Sequence, residues 1–343
     1  MAMTCTTPES RKTPLPLTVA LCTRDRPDLL RRALASLAAQ CPAPAEILVI
    51  DNAPTDGRTR AVAQATEGVI EGVRYLVEPV PGLDFARNRA LVEASREVVA
   101  FLDDDAVADP GWAAAMLSPF VDSRVGAVTG RVDALATETD GQRLVEENGG
   151  YSRGDEILRL PRDVDRRPLH GLRAPRIAWA VSVGSGCSLA VRRRVLLALG
   201  GFDEALDLGA ALPGGGDHDA LWRLLEAGWE VQYEPAARAR HEHRREMAAA
   251  WSQIAGHQRG LVAFLAKSLA RARRGRRLSI LLFLLWRLAK PAVRLLRRAA
   301  GRDPLPAGLL LRMLAASWSG LWAYPAARRA AERRKSLAWA EAS

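Results

Sequence analysis

From Leu17 to about Val128 the chain alternates short apolar runs with longer amphipathic stretches. The runs LTVALCT (17–23), EILVID (46–51), VRYLVE (73–78), VVAFLD (98–103) and VGAVTG (125–130) are rich in β-branched residues. Their length and composition predict strands. After the first run, Asp25 offers an N-cap and Pro27 falls in a first turn. LLRRALASLAAQ then repeats its leucines at helical spacing. Strand–helix alternation of this kind predicts an α/β fold with a doubly wound, mostly parallel, Rossmann-like sheet. Ligands of such sheets sit at the carboxyl ends of the strands. That rule singles out Thr23 and Arg24, then Asp51 and Asn52, then Asp103 to Asp105.

The rhythm is lost over residues 131–180, which read as loops above the sheet. A strand-like run, IAWAVSVGSGCSLAVRR, follows at 177–193, and a short helix stops at Gly200 and Gly201. GGGDHDALWRLL predicts a glycine turn and a helix from about Asp217, followed by a strand at 229–233. Residues 278–298 have nine uncharged residues before Arg287, far short of the roughly 20 that a spanning helix needs. Arg287, Lys290, Arg294 and Arg297 recur at spacings of 3, 4 and 3. They predict one cationic stripe on an apolar helix, kinked at Pro291.

Charge sharpens this division. Residues 238–343 hold 23 Lys and Arg against 5 Asp and Glu, a balance of +18 within a total of +10. An acidic body therefore carries a basic tail, which calls for an anionic partner. The arginines alternate with leucine faces and aromatic residues (Trp318, Trp322, Tyr324), a pattern suited to an anionic membrane surface. No helix-turn-helix, RRM or zinc pattern accompanies them, which argues against nucleic acid. The four cysteines lie far apart without a CxxC pair, as in a reducing compartment. The opening 14 residues are polar and read as a flexible leader rather than a signal peptide.

Three DxD spacings occur, at Asp103/Asp105, Asp163/Asp165 and Asp217/Asp219. Asp163/Asp165 sits in an Arg-rich loop with no apolar run before it and reads as solvated. Asp103 to Asp105 follows a buried strand, where a cation would offset the repulsion among three carboxylates. Magnesium commonly takes one or two protein carboxylates plus phosphate oxygens. Asp51 is placed to accept hydrogen bonds from a nucleobase or ribose. Arg87, in GLDFARNRAL, is placed to reach a diphosphate. Asp217 suits a general base or an N-cap. His241 and His243, two apart on a strand, are expected on opposite faces with at most one at the site, and His241, which closes the strand, is taken for it.

The ordered set VALCTRDRPDLLRRALASLAAQ, EILVIDNAPTD, PGLDFARNRAL, VVAFLDDDAVADPGW, GSGCSLAVRR, GGGDHD and YEPAARARHEHR resembles family 2 glycosyltransferases, which have the GT-A fold, over roughly residues 15–250. The resemblance implies a glycosyltransferase of the cell envelope or of natural-product glycans, inverting and dependent on Mn2+ or Mg2+. It would transfer one sugar from a nucleotide-sugar donor to a glycan, lipid-linked or small-molecule acceptor. It implies donor contacts at Thr23, Arg24, Asp51, Arg87, Asp103 and Asp104, metal ligands at Asp105, Asp103 and His241, and a catalytic base at Asp217. The family's Glu-Asp pair reads Gly216-Asp217 here, so Asp219 stays open as the base if the register is slipped. The expected organisation is a leader (1–14), a GT-A domain (15–245) and a basic amphipathic helical extension (246–343). That extension would hold a cytoplasmic protein peripherally at the inner face of the plasma membrane. A nucleotidyltransferase, and a degenerate GT-A protein that only binds, remain as alternatives.

Overall fold

The computed structural model describes residues 13–67, 70–161, 176–207 and 212–342. Asp163 and Asp165 lie outside them, as does nearly all of the leader. The elements run β1 (Leu15–Thr23), α1 (Pro27–Ala38), β2 (Pro44–Asn52), α2 (Arg58–Glu67), β3 (Val73–Glu78), α3 (Leu83–Glu93), β4 (Val98–Leu102), β5 (Ala106–Ala108), α4 (Trp112–Leu117), β6 (Val125–Ala134), α5 (Asp140–Glu147), β7 (Leu158–Leu160), α6 (Arg176–Ser182), β8 (Ser188–Arg192), α7 (Arg193–Ala198), α8 (Gly216–Glu226), β9 (Glu230–His241), α9 (Met247–Arg271), α10 (Arg274–Ala299) and α11 (Ala307–Ala342).

The strands form one sheet in the order β3-β2-β1-β4-β8-β6-β9-β5, with β7 added on β9. β3, β2, β1 and β4 are parallel neighbours, because helices carry the chain back between them. β8 then runs antiparallel between β4 and β6. Register decides what the strand ends present: Thr23 pairs with Asp51, and Ala106 pairs with His241. The three aspartates after β4 are thus brought beside the end of β9, although His241 lies 138 positions after Asp103.

The two sheet faces are buried under separate apolar clusters. One joins α1 and α4 to the sheet; the other joins α3, α6, α8 and α9. Leu261 to Leu265 of α9 lie inside that second cluster, and Leu305, Leu309, Leu310 and Met313 pack with Leu144, Ile254 and their neighbours. The basic C-terminal helices therefore share the core of the body and build one wall of its cleft.

Three local expectations are corrected. Asp25 takes a left-handed conformation and its carboxylate accepts the Thr55 amide, so Arg26 is the N-cap residue of α1. Residues 176–182 are helical, since Ile177, Ala178, Trp179 and Ala180 bury on a helix before the chain becomes extended at Ser188. Cys22 and Cys187 are free and buried, but Cys41 is disulfide-bonded.

Candidate active site

The carboxyl ends of β1, β2 and β4 open into a cavity of about 860 Å³, closed on the far side by α9 and α10. Thr23, Arg24, Arg87, Asp103, Asp104, Asp105, Asp217 and His241 all line it. Eight residues chosen from the sequence for their chemistry are thereby brought to one cleft. Asp51 and Asp219 are not among its walls.

The aspartates are in three different states because each has different partners. Asp104 accepts from Thr23 Oγ1 at 2.7 Å and from Arg26 at 3.2 Å. Burial and the adjacent Asp105 push it up to about 6. For Asp105, burial works against ionisation, but His241 Nε2 at 3.1 Å and Arg26 outweigh it and hold the group down at about 2. Asp103 is the most open of the three, and burial raises it despite Arg87. Burial alone would lower His241, yet Asp105 lifts it above its ordinary value.

Ligand atoms of Asp103, Cys187 and His241 lie within 4.8 Å of one another, and Asp105 shares His241 with that group. Two carboxylates and an imidazole suit a divalent cation that also takes phosphate oxygens. Cys187 is the soft member of that set, and a hard cation that also takes phosphate oxygens prefers the carboxylates; burial also raises its thiol well above the ordinary value.

The expectation that His241 and His243 face opposite ways is corrected, because residues two apart on an extended chain share a face. The two imidazoles accordingly meet, Nδ1 to Nδ1 at 3.2 Å, and His243 reaches Glu146 at 2.7 Å. Tyr151 packs edge-on against both rings. His243 thus props His241 from behind.

Asp217 stands at the start of α8. Its Oδ2 accepts the Gly186 amide at 2.9 Å, and its Oδ1 accepts the His218 amide and meets His218 Nδ1, each at 2.8 Å. Burial opposes the charge, but His218, Arg87 and the Gly186 N–H together hold Asp217 well below the usual carboxylate range. Gly186 has to be glycine for this approach, since a Cβ there would meet Arg87 Nη2 at 2.8 Å and Asp217 Cβ at 3.0 Å.

Asp219 points the other way. It is fully buried against Lys267 at 2.6 Å and Arg223 at 2.7 Å, and Lys267 also holds Asp203. One residue separates two aspartates on a helix, which rotates them about 200° apart. Asp219 therefore ties α8 to α9 and does not face the cavity.

Arg87 is also reassigned. Its Nη1 donates to Asp84 at 3.1 Å and its Nη2 to the Gly186 carbonyl at 3.3 Å, with Asp103 3.6 Å away. Two of its nitrogens are engaged by the protein, and its charge lies among the carboxylates of Asp84, Asp103 and Asp217, which it holds together. Asp51 is wholly buried; Tyr75 donates to its Oδ2 at 2.7 Å, while Oδ1 has no partner.

The sequence showed no glutamate before Asp217, and the structure gives the steric reason. A Cβ on Gly216 would overlap Asp84 Oδ2. The Asp84 carboxylate from α3 fills that space, buried and raised well above its ordinary value by desolvation. Arg26, Asp84, His218, Arg244 and His257 are cavity residues that sequence reading did not select. GLDFAR and GGGDHD contained two of them, but only the fold shows that they meet.

Comparison with known proteins bears on the family and the fold. The profile described as "Glycosyl transferase family 2" matches residues 18–200. The chain is 32% identical over 162 residues to a pre-mycofactocin glycosyltransferase of Mycobacterium tuberculosis, covering 47% of this chain and 30% of that one. It is 33% identical over 184 residues to the O-antigen biosynthesis protein RfbC of Myxococcus xanthus, covering 53% and 14%. The chain thus spans less than a third of the length of these relatives. Among solved structures, the mannosyltransferase PcManGT of Pyrobaculum calidifontis, in complex with GDP-Man and Mn2+, superposes with a TM-score of 0.55 at 20% identity, over 94% of this chain and 88% of that one.

Proposed function

The chain belongs to glycosyl transferase family 2, and on that premise we propose that it transfers one sugar from a nucleoside-diphosphate sugar to an acceptor hydroxyl, with inversion at the sugar carbon. One observation carries the reading. An ionised Asp217, seated by two backbone amides, faces the same cavity as the Asp103–Asp105 and His241 cluster. An inverting displacement needs a base on the acceptor side and charge neutralisation on the diphosphate side.

Asp103, Asp105 and His241 are the residues that would hold Mn2+ or Mg2+, and the bound ion would supply Lewis-acid stabilisation of the leaving diphosphate. PcManGT was solved with Mn2+ and GDP-Man, a precedent for both ligands. Thr23, Arg24 and Asp104 flank the nucleoside side, while Asp51, buried behind the strand ends and bonded to Tyr75, lies outside the cavity walls and supports that side from beneath. Asp217 takes the acceptor's proton. His218, whose Nδ1 meets the same carboxylate at 2.8 Å, fixes the orientation of Asp217 toward the acceptor. Arg87 and Asp84 keep Asp217 and Asp103 in register.

The transferase unit is residues 15–245, with 246–343 added as its helical wall. Calorimetric titration with UDP-, GDP- and dTDP-sugars, with and without Mn2+, tests the donor assignment. Metal-dependent binding of one of them is expected, and binding of none would overturn it. A protein that binds but never transfers would be the degenerate alternative, and nucleotidyl transfer would release pyrophosphate rather than a nucleoside diphosphate.

A second reading concerns location. No described helix is long and apolar enough to cross a membrane. Yet Leu278, Leu282, Leu285, Trp286, Trp318 and Trp322 are exposed on α10 and α11, beside exposed Arg273, Arg274 and Arg277. We propose that this face rests on the anionic cytoplasmic surface of the plasma membrane. Co-sedimentation with phosphatidylglycerol vesicles, lost in Trp318→Ser/Trp322→Ser, is the expected result. Equal sedimentation of that variant would refute it.

A further inference from the structure

The cationic stripe expected on the outside of the tail does not lie there. Arg287, Lys290 and Arg294 of α10 line the cavity opposite the aspartates, and the apolar side of α10 faces out. The helix turns this way because Ile280, Leu284, Leu288 and Pro291 bury on the stripe's own side.

These cations are poorly compensated. Arg294 is paired, with Asp303 at 2.7 Å and Asn148 at 2.9 Å. Among the described residues the Arg287 side chain reaches only the neutral Gln258, at 2.6 Å, and its buried Nε has no partner there. Gln258 is held for this contact by Ser317 at 2.8 Å. Lys290 makes no hydrogen bond or ion pair among the described residues. Two positive charges are costly here, because Asp303, the carboxylate that acts on Lys290, is already taken by Arg294. Burial and the neighbouring cations accordingly lower Arg287 to about 10 and Lys290 to about 8. The site is short of negative charge that the protein does not supply.

We propose that Arg287 and Lys290 form the binding site for a phosphate or phosphate-ester group on the acceptor, which this wall anchors while the acceptor hydroxyl is presented to Asp217. The inference rests on the transferase reading of the same cavity and names its acceptor class. The cavity is bipolar, with acid and metal-binding groups at the sheet edge and uncompensated cations on α10. A nucleotide diphosphate fits the first pole through its metal, which leaves the second for a different anion. Guanidinium and ammonium groups together suit phosphate oxygens, one as a fork and the other as a point charge. The phosphate could belong to a soluble ester or to a lipid headgroup.

The test uses the full chain without metal, titrated calorimetrically with glycerol 3-phosphate, with glycerol, and with dihexanoyl phosphatidic acid below its micelle concentration. Phosphate esters should bind and glycerol should not. Arg287→Gln/Lys290→Ala should weaken ester binding at least tenfold, while the exposed control Arg297→Ala/Arg329→Ala, with the same loss of charge, changes it less than twofold. Phosphatidic acid binding much more tightly than glycerol 3-phosphate identifies a lipid-borne phosphate, and equal affinity identifies the free ester. In parallel, UDP and GDP are titrated with Mn2+. Their affinity should be the same in wild type and in the Arg287→Gln/Lys290→Ala variant. No ester binding to wild type, equal binding by the cavity variant, or a matching loss of nucleotide affinity in that variant would overturn the proposal. Failure of nucleotides to bind wild type would instead sink the transferase reading and leave the ester result standing by itself.

Discussion

Gly216→Ala is the smallest substitution that tests how Asp217 is seated. Gly216 opens α8, and by helix propensity alone alanine there would stabilise the protein by about 0.5–1 kcal/mol. The structure reverses the sign, because the added Cβ would overlap Asp84 Oδ2. Asp84 cannot yield freely: it is 2% exposed, its amide donates to Asp207 at 2.9 Å, and its Oδ1 accepts from the buried Arg87. Overpacking costs about 1–3 kcal/mol, and opening a buried ion pair about 3–5 kcal/mol. Partial displacement should therefore cost roughly 3 kcal/mol. Unfolding entropy is about 2.1 cal/mol/K per residue, so for 343 residues the midpoint should fall by about 4 °C. Asp84→Gly empties the space, and in that background Gly216→Ala should be neutral or stabilising. Differential scanning calorimetry of the four-member cycle reads the coupling, expected at 2 kcal/mol or more. An unchanged midpoint in Gly216→Ala, or the same loss in both backgrounds, would refute the steric account of the missing glutamate.

Asp219→Asn should destabilise the fold by about 3 kcal/mol, because Lys267 and Arg223 lose a buried carboxylate. Chemical denaturation checks this, and it should leave nucleotide affinity unchanged. Asp105→Ala and His241→Ala should each weaken Mn2+ binding at least tenfold by electron paramagnetic resonance titration, whereas Cys187→Ser should not. Phosphate-ester binding should fall as pH rises through about 8, where Lys290 loses its proton. The groups acting on it are Arg287 and Arg294, which lower it, and Asp303, which raises it. The same shift makes a stability prediction. A lysine whose folded value lies below the ordinary one, about 10.4, binds fewer protons folded than unfolded. Its contribution to stability therefore rises with pH between about 8 and 10.4, which urea titrations across that window would show.

The first half of the sheet was legible because its strands are short β-branched runs separated by helices with clear spacing. Pairing Thr23, Asp51 and Asp103–Asp105 required only the rule that strand ends converge. Chemistry that depends on two distant segments meeting was not legible. Gly216 looked like a loss until Asp84, 132 residues earlier, was found filling its space. Asp217 and Asp219 looked interchangeable as a spacing, and only the rotation of α8 sends one to the cavity and the other to Lys267. The Arg287–Lys290–Arg294 stripe was visible as a stripe. Its direction depended on which side of α10 packs, and alternating leucines occur on both sides of that helix.

The central claim is that Asp217 accepts the acceptor's proton in a cavity that binds nucleotide and metal independently of it. Its most direct test is the transfer rate of Asp217→Asn at saturating donor and Mn2+, measured together with the nucleotide dissociation constant. Loss of a positioned general base should slow transfer by about 10²–10⁴-fold while the dissociation constant stays within twofold. Transfer at the wild-type rate, with Asp217 replaced and nucleotide still bound, would contradict the account.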